Sequence, residues 1–183
     1  MEQENEIKKL SLSRNAMYYG SVLGIALIIF SLLMYIFNVD NKSNLQYFSL
    51  ILIVTITIIG ILNYRNNING GFINYGKSVG IGVLIGLFAS FLFAFYTFIF
   101  YKFVAPEMIN EILKKTEENM LDQNPTMSDE QIELAMSYTR KFTTPLFMSI
   151  STIFGTTFMS FLLSLIISIF TRKKDNSFES NFR

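Results

Sequence analysis

Four stretches of the chain contain no Asp, Glu, Lys or Arg: Ala16–Phe37, Leu45–Leu62, Ser78–Tyr101 and Leu146–Phe170. The hydrocarbon core of a bilayer is about 30 Å thick, and a helix needs about 20 apolar residues to cross it. A soluble amphipathic helix would show a polar face at a period near 3.6 residues. Leu45–Leu62 (LQYFSLILIVTITIIGIL) shows none. The pattern therefore predicts an all-α polytopic membrane protein, a single membrane domain over residues 1–183 built as a four-helix transmembrane bundle. The second stretch is rich in Ile, Val and Thr, which favour strands in water. An isolated strand in lipid would leave its backbone unpaired, so a helix is expected there as well.

The polar positions divide the chain between these spans. Residues 1–15 form a polar leader, Asn38–Asn44 a tight turn, and Asn63–Lys77 a Gly/Asn-rich loop. The sizeable extramembrane segment, about 105–141, reads as an amphipathic helical connection between spans three and four. Its first helix is predicted near Glu107–Leu121, after Pro106. A second starts at Ser128, where Gln131 three positions on forms a capping box and Met127 with Ile132 supplies a hydrophobic staple. The segment is expected to lie on a partner, on the bundle or on the membrane surface. The first span, about 22 residues long with no small-residue cleavage site after it, reads as a retained anchor rather than a cleaved signal peptide.

Composition narrows the chemistry. The chain has no Cys and no His. Disulfides, thiolate or imidazole metal sites, thiol nucleophiles and histidine acid–base catalysis are thereby excluded. The net charge of +1 gives no basic surface for nucleic acid. Charged groups inside a membrane usually mark ion paths and proton relays, and these spans hold none. The residues point to no catalytic group, no cofactor and no metal ligand set, and so to a protein that is not an enzyme.

The basic residues set an orientation. The leader, the second loop and the tail carry Lys8, Lys9, Arg14, Arg65, Lys77, Arg172, Lys173, Lys174 and Arg183. The opposite side carries Lys42 and five basic residues in the third connection, where eight acidic residues outnumber them. The positive-inside rule then places both termini in the cytoplasm and the third connection outside. Tyrosines cluster at the expected boundaries, with Tyr18, Tyr19, Tyr64 and Tyr75 on the inner side and Tyr35, Tyr47, Tyr96 and Tyr101 toward the outer one, as an aromatic belt would.

Small residues recur every fourth position. They are Gly20 and Gly24 in span one, Gly82, Gly86, Ser90 and Ala94 in span three, and Thr152, Thr156, Ser160, Ser164 and Ser168 in span four. Such rows let helix backbones approach closely, so helix packing is the expected role. A hydroxyl-lined polar path is the weaker reading, since helix hydroxyls also satisfy themselves on the i−4 carbonyl. The small residues gather in the half of the bundle nearest the termini, whereas the other half of span three is aromatic. This arrangement predicts a taper, tight inside and splayed outside, with an outer-leaflet crevice walled by Phe91, Phe95 and Phe98. The competing expectation is that these rings face lipid or pack on one another.

The acidic residues of the third connection do not have the alternate oxygens and central Gly of an EF-hand loop, and a solvated helical face is expected instead. Glu111 is spaced to pair with Lys114 and Lys115. Gly70-Gly71 and Gly76 lack the phosphate-cradling P-loop pattern.

The stretch from the second loop onward carries a family pattern: GGFINYGKSVGIGVLIG, FVAPEMINEILKK, MSDEQIELAM, KFTTPLF and a Ser/Thr-rich span ending TRKK. It resembles the bacterial domain-of-unknown-function 4199 family over about Tyr64–Lys174, with spans one and two matching in general character. The resemblance implies a small four-span inner-membrane protein and adds no active site. The function expected is thus a non-enzymatic structural, accessory or partner-binding role in the lipid bilayer, with a membrane-protein partner or a second copy of the chain. The alternative is a small oligomeric transporter or channel for a neutral or lipophilic solute.

Overall fold

The computed structural model describes residues 2–38 and 47–173, with side chains from Ser11 onward. Most of the predicted Asn38–Asn44 turn and Lys174 of the tail lie outside the described residues. Six α-helices follow one another: α1 (Glu2–Ile36), α2 (Phe48–Asn63), α3 (Tyr75–Ile99), α4 (Glu107–Gln123), α5 (Asp129–Phe142) and α6 (Pro145–Thr171). Among the described residues there is no strand. Four segments are long and apolar enough to cross a membrane: Ser11–Ile36, Phe48–Ile68, Tyr75–Val104 and Pro145–Thr171. The chain is a multi-pass membrane protein. α2 is helical despite its β-branched composition, as the demand for internal backbone pairing in lipid requires.

Two boundaries differ from those predicted, for one reason. α2 and α3 each continue into a π-helical turn, Tyr64–Ile68 and Phe100–Val104. In each turn the backbone N–H reaches back five residues, from Asn69 to Tyr64 and from Ala105 to Phe100, both at 2.9 Å. Asn63–Ile68, expected as loop, thus keeps its backbone paired at the edge of the span. The chain reverses only at Gly70 and Gly71, whose φ values of 68° and 88° suit glycine.

The contacts of the chain group into two compact units. The first comprises α1, α2, α3 up to Phe93 and α6 from Ile153. Its core is formed by Leu23 and Leu27 of α1, Ile53 and Ile61 of α2, Tyr64, Ile81, Ile85 and Ala89 of α3, and Ile167 of α6. The second runs from Ala94 to Thr152. Within it α4 and α5 pack on each other, burying Ile132 and Met136 of α5. Ser128 caps α5 as predicted: its hydroxyl accepts from the Gln131 N–H while the Gln131 side chain accepts from the Ser128 N–H. Pro145 opens α6 at its first position, where the missing N–H costs nothing.

Candidate functional site

Three groups of residues could carry function: the small-residue seams, a polar clasp at the helix ends near the termini, and the aromatic surface. The seams are built around α3. A Cβ on Gly20 would stand 2.6 Å from Phe88 Cβ and 2.8 Å from the Ile85 carbonyl oxygen, so α1 lies directly on the α3 backbone. Gly24 repeats the contact against Leu92 and Ala89, and Gly60 of α2 sits on Ile85 and Tyr19. On a neighbouring face of α3, Gly82 receives Ser164 and Gly86 receives Ser160. A Cβ on either glycine would overlap the serine hydroxyl.

This fit explains an anomaly. The hydroxyl oxygens of Ser160 and Ser164 are buried without a hydrogen-bond partner among the described residues, as are Thr57 Oγ1 and Tyr64 OH. The two serine oxygens point at the glycine backbones of α3. Each stands where the Cβ of a larger residue would be. The seam tightens the bundle at the expense of satisfied hydroxyls. Ser90, one turn on, donates to the Leu87 carbonyl at 2.7 Å and accepts from Thr157 at 3.2 Å. The hydroxyl that reaches Ser90 is therefore that of Thr157, the neighbour of the row member Thr156. Ala94 is buried within the second unit. Gly76, Gly80 and Gly155 meet open space and take no part in the seams.

The clasp closes the first unit where α6 ends. Arg65 donates to the Thr171 carbonyl at 2.9 Å, placing a cation on the C-terminus of α6. Ser78 bonds both Thr171 and Ser168 at 2.9 Å. Ile73 and Lys173 exchange two backbone hydrogen bonds of 2.9 Å in an isolated antiparallel bridge. On the other side, Asn15 of α1 is buried and donates to the Gly60 carbonyl at 3.0 Å. Its own carbonyl accepts from Asn63 at 2.8 Å. Lys77 reaches Asn69 and lies 5.0 Å from the centre of the Tyr64 ring. The clasp leaves no local signal in the sequence, because its partners stand up to 106 positions apart.

The residues expected to wall an outer crevice, Phe91, Phe95 and Phe98, stand at i, i+4 and i+7 along α3. Phe91 and Phe95 are exposed at 53% and 68%. Phe98 is half-buried, with the Lys102 ammonium 5.0 Å from its ring centre. In the first unit an apolar groove of about 370 Å³ lies between α3 and α6, lined by Phe154, Phe158 and Phe161 with Val83 and Leu87. On α4 the ion pair is Lys114–Glu118 at 3.9 Å, exposed and hence of small effect. Among the described residues no group of acidic side chains converges as a metal site.

Fold and seams together define a polytopic helical-bundle membrane protein. The chain belongs to the DUF4199 family, described as a protein of unknown function, whose model matches residues 18–173. The match takes in all four spans and the α4–α5 pair, and so extends further toward the N-terminus than the motifs that first suggested it. No curated protein and no solved structure matches.

Proposed function

We propose that this is a non-enzymatic accessory protein of the bacterial inner membrane, with both termini cytoplasmic, which binds a membrane-protein partner through α5 on the outer side. The observation carrying this reading is that α5 is apolar on two opposite faces. Ile132 and Met136 are buried, while Leu134, Tyr138 and Phe142, at successive fourth positions, are exposed at 54–60%. Lys141 lies 5.5 Å from the Tyr138 ring centre at the edge of this second face. An apolar stripe on an extramembrane helix, rimmed by charge, is the usual form of a partner surface.

A photoreactive residue placed at 134 or 138 is expected to give a discrete protein adduct in native membranes. Glu117, on the exposed surface of α4, should give none. Adducts to lipid alone would assign the stripe to the membrane surface and defeat the partner reading. Orientation is checked separately, and the absence of native Cys makes the probe clean. Glu118→Cys should react with a membrane-impermeant maleimide in intact spheroplasts. Ser177→Cys should react only after lysis; the reverse pattern would invert the topology.

A further inference from the structure

A second groove, of about 730 Å³, opens between α1 and the π-helical end of α2. Arg14, Tyr18, Tyr19, Asn15, Asn63 and Ser11 line it. Among the described lining residues the charge is that of one exposed guanidinium, and none carries a carboxylate. Its polar groups are fixed in place. Asn15 and Asn63 are bonded to each other and, through Asn15, to the Gly60 carbonyl, so the floor of the groove is formed before anything enters. Tyr18 and Tyr19 meet edge to face with ring centres 5.1 Å apart.

The groove does not end at its polar floor. Arg14 and Tyr18 are one helical turn apart on the same side of α1. From Tyr18 the same side continues through Val22, Ile25 and Ile29, exposed at 40%, 53% and 53%. Tyr18 to Ile29 spans about 16 Å at 1.5 Å per residue. One leaflet of a ~30 Å hydrocarbon core is about 15 Å deep. The order along this surface is cation, phenol, aliphatic track. A phospholipid presents the matching order of phosphate, ester and acyl chain, over a matching length.

From this register we infer that the α1–α2 groove is a binding site for an anionic phospholipid. Arg14 pairs with the phosphate, Tyr18 sits at the ester level, and one acyl chain lies along Val22, Ile25 and Ile29. Arg14, the charged group among the described lining residues, selects a headgroup of net negative charge. A free phosphate would share the Arg14 contact but make no use of the aliphatic track.

The test uses the full chain purified in detergent, with phosphatidylglycerol, phosphatidylcholine or inorganic phosphate added at equal concentration. Phosphatidylglycerol is expected to raise the melting temperature by several degrees and to remain bound in native mass spectrometry. Phosphatidylcholine and inorganic phosphate should do neither. Arg14→Gln should weaken retention of phosphatidylglycerol at least tenfold while melting like the wild type without lipid, because the Arg14 side chain is exposed. Ile25→Asn, which alters the track and leaves the cation, should weaken it several-fold. Lys102→Gln, in the second unit, should not change it. Unchanged retention in Arg14→Gln would overturn the site. A stabilisation by inorganic phosphate equal to that by phosphatidylglycerol would overturn the lipid assignment.

Discussion

Gly82→Leu is expected to unfold in detergent far more readily than the wild type, and Gly82→Ala to show a smaller loss that Ser164→Gly partly restores. A Cβ at position 82 would overlap the Ser164 hydroxyl and stand 2.8 Å from Ser164 Cβ, an atom fixed to the α6 backbone. α6 would have to move away from α3, and overpacking of this kind costs roughly 1–3 kcal/mol for small additions. Removing the Ser164 side chain vacates the space, leaving the lesser contact at 3.2 Å with Thr57. Gly80→Ala, two residues away, supplies the control. A Cβ there meets nothing within 4 Å, so the substitution should be neutral or should stabilise by up to about 1 kcal/mol through helix propensity. Thermal unfolding of the four variants decides the matter. Equal losses at positions 80 and 82 would show that the seam is not the determinant.

The second large effect is expected at Asn15. Asn15→Leu removes the donor to the Gly60 carbonyl and the acceptor for Asn63, both at a buried position. Losing such a pair should cost on the order of 2 kcal/mol, since the groups left behind are poorly hydrated. Asn15→Asp should be worse at neutral pH despite its shape. It still accepts from Asn63 but turns a carboxylate oxygen toward the Gly60 carbonyl, and a buried charge without a cation is costly. Melting temperatures should therefore fall in the order wild type, Leu, Asp. If Asn15→Asp melted like the wild type, the Asn15–Gly60 contact would not be holding α1 to α2.

What could be read from the sequence was whatever depends on neighbours along the chain. The charge-free runs gave the four spans, and Ser128 with Gln131 gave the start of α5, because bilayer crossing and capping are local demands. The four-residue rows pointed to Gly20, Gly24, Gly82 and Gly86, since backbone approach needs small residues wherever it occurs. They could not say which row members face a partner. Gly80 continues the run of glycines yet meets open space, and Thr157 rather than Thr156 reaches Ser90. Helix rotation decides such choices, and rotation is set by the neighbouring helices. The clasp was hidden for the same reason. Arg65 reads as an ordinary loop cation until α6 brings the Thr171 carbonyl to it.

Because chains are made from the N-terminus, all the partners of the α1–α2–α3 seam are synthesised before α6. α1, α2 and α3 can meet at Gly20, Gly24 and Gly60 before residues 145–171 exist, and that meeting prepares the surface on which α6 will rest. Until then Gly82 and Gly86 lack Ser164 and Ser160, and Arg65 has no Thr171 carbonyl to bind. The last span thus arrives at a finished berth, and its own end carries the fastening that keeps it there.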